Sequence, residues 1–353
     1  MRSHFAITLL RRMLAAGCLL LAACQSAAPV AGPGERTVPL PRLPDGPVEL
    51  RVAYLVNPRL PRMDAAQLQA LLAATRQAVW EHFGVEVRFT TPREMPIAEA
   101  FAAIPPARRA RARAEAYDFV AGTGDRARLD QVFTDELPAG GPLAEQVAYA
   151  QPFAPGLRTG ATAAEFGHAM VALQLQRLAE WRRMPALDGG PAIDGSGYNG
   201  YPFWVALGYA GLPYELLLTN QLIASIEYVD PEVHAAVRGG YANGLTTYGS
   251  GARYGTVSVW STFGFSGNGD DLVRWRDGER YTPDEAARLA GVAAAHEIGH
   301  QLFHFLHPFG KPACLMDPVP MFAYRAWAAR LSARDCPIGS DPAMVPGAYV
   351  FTY

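Results

Sequence analysis

Lysine is almost missing from this 353-residue sequence, where Lys311 is the single lysine among 31 basic residues. With 34 glycines and 29 prolines, that bias reads as a compositional habit and assigns no binding role. An excess of either charge is also lacking. The formal net charge is −2 with 18% charged residues, which argues against the basic surface that nucleic-acid binding needs. Since 50% of the residues are hydrophobic, chain-wide disorder is excluded too. Beyond the first 24 residues no apolar run is long enough to span a bilayer. Cysteine is scarce, confined to Cys18, Cys24, Cys314 and Cys336. The length allows one large domain or two small ones.

The N-terminus has a definite pattern. Arg2, Arg11 and Arg12 precede a short apolar stretch from Met13 to Ala23, the layout of an export signal rather than a membrane span. It ends in Leu21-Ala22-Ala23-Cys24, which resembles the box at which bacterial lipoprotein signals are cut before a cysteine that receives lipid. The resemblance implies a signal peptide over 1–23, lipidation at Cys24 and a tether over 24–48 rich in Pro, Ala and Gly. It implies a location in the bacterial cell envelope, with contact to the membrane through the lipid anchor alone. Gln25 after the lipidated position implies the outer membrane, facing the periplasm. An oxidising compartment favours a disulfide between Cys314 and Cys336, two buried free thiols being the alternative.

Further along, Glu49–Val56 alternates as a strand, Asp64–Phe83 has helical spacing and stops at Gly84, and Val85–Thr90 alternates again. This is the start of an α/β sheet. Tyr117–Ala121 reads as a strand, Ala163–Arg183 as an amphipathic helix with His168 partly buried, and Gly189–Gly211 as a long ordered loop. Arg108–Arg113 reads as a solvated helix face. Tyr214–Ile226 reads as one central strand, followed by strands at Leu245–Tyr248 and Thr256–Thr262. The expected class is α/β (α+β), one domain over 49–353 with an insertion at about 93–213.

Four of the eight histidines lie within HEIGHQLFHFLH, from His296 to His307. Thr282-Pro283-Asp284-Glu285 ahead of them predicts a capping box with proline at the first helical position. His296 and His300 then stand one turn apart on one helix face, where two imidazoles can grip one metal ion, with Glu297 beside them. His-Glu-x-x-His on a helix is the arrangement that zinc hydrolases use. Along an unbroken helix, His304 would lie roughly 12 Å and His307 roughly 16 Å from His296, too far to share its ion. The helix must therefore end near Leu302 or Phe303 and the chain turn back. His307, held extended by Pro308, is the favoured third ligand and His304 the alternative. No glutamate follows Glu297, which excludes a later glutamate ligand and leaves Asp317 as an outside candidate.

The stretch HEIGHQLFHFLHPFGKPACLMDP resembles the active-site segment of metzincin metallopeptidases, in particular the archaemetzincin-like branch. That family carries His-Glu-x-x-His-x-x-Gly-x-x-His followed by a tight turn containing methionine. The resemblance covers residues 282–318. It implies a single metzincin-like domain with a mixed, twisted sheet and an active-site helix. It also implies one catalytic Zn2+ on His296, His300 and a third histidine, Glu297 as general base, Met316 as the turn methionine and a peptide or protein as substrate. Two departures stand out. Phe303 occupies the place of the helix-breaking glycine, and Leu306 that of the third histidine. A turn one residue longer would restore the register at His307. Tyr324 is a candidate oxyanion donor, with aromatic packing as its other reading. Two competing readings are a zinc-binding envelope lipoprotein without turnover, and a partner-binding module, around Gly189–Gly211, whose metal is structural. A fourth protein ligand would favour either.

Overall fold

A computed structural model describes residues 37–352 except 123, 227, 229, 230, 268 and 320. The expected export signal, Cys24 and most of the expected 24–48 tether lie outside the described residues. Val38–Phe351 form one unit by their contacts. Among the described residues no helix is long and apolar enough to cross a membrane.

The class is mixed α/β, as expected. Strands β1 (Val48–Leu50), β2 (Val52–Val56), β3 (Val87–Phe89) and β4 (Arg93–Pro96) surround helix α1 (Ala65–Phe83). The stretch expected as one strand over 49–56 is split at Arg51. Both its backbone N–H and its guanidinium bind Glu215, at 2.8 Å and 2.5 Å. β1 pairs with β3, while β2 enters the central sheet. Helices α2 (Ile97–Ala102), α3 (Pro106–Glu115), α4 (Arg126–Asp135), α5 (Leu143–Ala150), α6 (Ala163–Trp181) and α7 (Tyr201–Leu207) come next. Only Ala112 of the arginine-rich α3 is buried, as a solvated face requires.

Then come β5 (Leu216–Thr219), β6 (Ile223–Ala224), α8 (Val233–Val237), β7 (Tyr241–Ala242), β8 (Gly244–Tyr248) and β9 (Thr256–Ser261). The central sheet runs β4-β2-β5-β9-β8. The first four strands are parallel, and β8 is antiparallel to β9, with Gly244 opposite Trp260. Helices α9 (Asp270–Trp275), α10 (Pro283–Phe303) and α11 (Tyr324–Ala328) follow.

Four local expectations need correction. Tyr117–Ala121 is a turn, closed by the Asp118 carboxylate on the N–H groups of Val120 and Ala121. The single strand expected over 214–226 ends at Thr219, because Asn220 turns the chain by bonding the backbone of Asn57 and Leu60. Gly189–Gly211 contains α7, which buries Phe203, Trp204 and Leu207. His168 is 63% exposed, 3.9 Å from Asp130, so it is a surface residue rather than a packing one.

α10 is the element that positions the site. Thr282 caps it, accepting from the Glu285 N–H at 3.2 Å. The reciprocal half of the expected capping box is absent because the Glu285 carboxylate pairs with Arg325 at 2.8 and 3.0 Å. Small residues bring α10 close to α1: a side chain at Gly291 would strike the Leu71 carbonyl, and Thr75 of α1 donates to the Gly291 carbonyl at 2.9 Å. On its other side α10 is fastened to the sheet. Gln301 reaches the Glu215 carbonyl at 2.7 Å, and Ser258 reaches the Glu297 carbonyl at 3.1 Å.

Candidate metal centre

α10 carries His296, Glu297 and His300 on its last two turns and ends at Phe303. The residue that breaks it is His304, in the left-handed region at φ 52°, ψ 42°. Histidine is among the non-glycine residues that tolerate this conformation best. The extra residue relative to the family pattern thus lies in the helix and not in the turn. The break stands three residues before His307, just as the pattern's glycine stands three before its last histidine.

The turn returns His307 to the helix. The Nε2 atoms of His296, His300 and His307 lie 3.0–3.1 Å from one another. Each ring's other nitrogen has an acceptor. His296 Nδ1 donates to the Leu315 carbonyl at 2.9 Å, and His300 Nδ1 to the Phe305 carbonyl at 2.6 Å. His307 Nδ1 faces the Glu232 carboxylate at 3.3 Å. A carbonyl or carboxylate oxygen only accepts, so these contacts place the proton of each neutral ring on Nδ1. Three bare Nε2 lone pairs then converge on one point, an arrangement that repels itself unless a cation sits among them. The triad could hold a metal ion.

Burial, followed by the repulsion of neighbouring His307, pushes the His296 pKa down to about 3. His300 is likewise held well below its ordinary value by burial. Neutral imidazoles are the form that binds metal. Burial pulls His307 downward, but the Glu232 carboxylate, together with Glu297 and Asp317, makes the net shift upward.

Glu297 is 6% exposed. Burial pushes its pKa up to about 7, against a hydrogen bond from Thr246 that lowers it. Thr246 Oγ1 donates to Glu297 Oε2 at 3.1 Å. The other carboxylate oxygen packs on Gly244, where an added Cβ would lie 2.7 Å from Oε1. Strand β8 therefore holds both sides of this carboxylate.

Met316 is fully buried in the tight turn that the Asp317 N–H closes on the Cys314 carbonyl at 3.0 Å. Its sulfur lies against Gly299, where any side chain would collide with it, between the two helical histidines in sequence. The expected disulfide Cys314–Cys336 is present and ties this turn to the C-terminal segment. Phe305, Met344 and both cysteines pack with Met316 in one cluster.

His304 is turned away from the triad. Its ring is 2% exposed, edge-on to Phe351 at 4.9 Å, and its Nε2 has no hydrogen-bond partner. Asp317 is buried and not in the triad; burial pushes its pKa up to about 6. Tyr324 is buried against Phe265 and donates to Asn243 at 2.6 Å, in keeping with the packing reading.

A cavity of about 120 Å³ opens in front of the triad. Its wall includes Glu232, His234, Arg238 and Asn243, none of them singled out by sequence. Glu232 Oε2 lies 3.4 Å from His234 Nδ1 as well as near His307. The Glu-x-His spacing at 232–234 is the one local signal that marked them. Comparison with protein-family models, with curated proteins and with solved structures found no match.

Proposed function

We propose that this chain is a zinc-dependent peptidase. The observation that carries the reading is the convergence of three Nε2 atoms whose rings each direct Nδ1 to an acceptor. Two nitrogens at tetrahedral positions on one zinc, each about 2.0–2.1 Å from it, stand roughly 3.3 Å apart. The observed 3.0–3.1 Å fits that spacing closely. His304, packed against Phe351, is not a fourth ligand, and three protein ligands are the number that catalytic zinc sites use. The helix break three residues before His307 and the buried Met316 turn support the metzincin resemblance.

A bound zinc ion supplies a Lewis acid and makes water acidic near neutral pH. Glu297 accepts the proton of the attacking water and passes it to the leaving amine. Thr246 and Gly244 fix the carboxylate's orientation, and the acceptors on Nδ1 fix the three ring planes. We assign Cys24 as the lipid attachment point of a bacterial envelope peptidase on the periplasmic face of the outer membrane.

The test is Glu297→Gln. The variant should retain one zinc per chain by metal analysis while losing cleavage of a peptide mixture by at least roughly 100-fold. Equal cleavage by both proteins would remove Glu297 from its role.

A further inference from the structure

Arg238 is 4% exposed and stands in the wall of the metal cavity. Among the described residues its guanidinium makes one hydrogen bond, to the Val319 carbonyl, and its buried Nε has no partner there. Among the described residues no carboxylate lies within 4.0 Å of it, whereas Glu232 and Glu297 on the same wall are already engaged by His234, His307 and Thr246. A guanidinium offers five N–H donors and stays charged under all ordinary conditions. Leaving such a group buried without a counter-ion is expensive.

Its position is built rather than incidental. Arg238 ends α8, and Gly239 and Gly240 follow with φ of 71° and 83°. A side chain at Gly240 would run into the Ser225 carbonyl. Trp181 of α6 donates to the Arg238 carbonyl at 2.7 Å. The turn is thus pinned by α6, and Arg238 is held in the cavity wall.

We propose that Arg238 receives a carboxylate of the substrate, so that the cavity selects peptides presenting an acid near the scissile bond. The carboxylate is either an Asp or Glu side chain or the peptide's own C-terminus. A planar fork of N–H donors matches either one by paired hydrogen bonds. This inference rests on the metal cavity being the substrate site.

The test is equilibrium binding to the zinc-loaded full-length chain, so turnover is not required. The probes are the monohydroxamates of succinic, glutaric and adipic acid, each compared with its ω-amide. The hydroxamate anchors at the metal and the chain length varies the reach. At least one acid should bind 10-fold or more tightly than its amide. That ratio should fall to near one in Arg238→Gln and survive in part in Arg238→Lys, with zinc content unchanged. If Arg238→Gln fails to fold, the wild-type ratio and its reduction in Arg238→Lys still decide. Equal binding of acid and amide at every length, no binding of either, or a ratio that survives in a folded Arg238→Gln overturns the proposal. Displacement of the best probe by acetyl-Ala-Glu-amide marks a side-chain carboxylate, and displacement by acetyl-Ala-Gln with a free terminus marks a C-terminal one. Selective acid binding without any peptide cleavage would refute the peptidase reading while leaving the anion site standing.

Discussion

The segment from Thr282 to Pro318 and the helical stretch from Ile97 to Leu207 were built by different rules. In the first, the groups that meet in space are close in the chain. His296, His300 and His307 fall within twelve residues, and the Met316 turn follows at once. In the second, side chains that anchor the segment find partners far away in the chain. Trp181 stacks on Trp275 at 4.2 Å and bonds the Arg238 carbonyl, and Arg59 pairs with Asp188 at 2.7 Å. Local chemistry leaves a readable pattern, whereas distant packing leaves only apolar residues with helical spacing. The two regions nonetheless join at Arg238, where α6 supports the wall of the candidate metal cavity.

That join can be broken from the helical side. Trp181→Ala removes a fully buried side chain and should destabilise the protein by about 3–5 kcal/mol, read as a lower denaturant midpoint. Zinc bound per folded chain should stay at one, because the acceptors that orient the triad, Leu315, Phe305 and Glu232, all lie outside α6. A loss of zinc in the folded variant would mean that the helical region holds the metal site itself.

A second substitution acts on a site residue supplied from outside the local segment. Glu232→Gln keeps an acceptor near His307 Nδ1 but removes its charge, and should weaken zinc binding about 10-fold, measured by competition with a chelator. Unchanged affinity would show that Glu232 has no part in orienting the ring.

The smallest effect belongs to His304. His304→Ala should change zinc affinity less than about threefold, since the ring faces Phe351 and lies outside the triad. A loss comparable to that of a true ligand would move the third ligand to His304 and undo the turn geometry.

These cases show how far the sequence was legible. The spacing of His296 and His300 follows from helical periodicity, and the reach argument required a break by Phe303. The helix ends at Phe303, His304 turns the chain, and His307 is the residue brought back. Two things escaped. The family pattern's glycine position is taken by Phe303, yet the chain extended the helix by one residue and turned at His304, a choice that depends on burial of that ring. Glu232, Arg238 and Thr246 escaped because they approach the site from α8 and β8, 50 or more residues earlier, with no periodicity linking them to α10. The strand expected over 214–226 failed for a similar reason: Asn220 bonds a loop more than 150 residues away. The expected export signal and Cys24 lie outside the described residues.

The central claim is the three-histidine metal site, and X-ray absorption of the zinc-loaded protein tests it most directly. The account predicts one zinc per chain with three imidazole nitrogens at about 2.0–2.1 Å and no sulfur, and the loss of one imidazole in His307→Ala. A chain that takes up no zinc, or a zinc shell unchanged by His307→Ala, would contradict it.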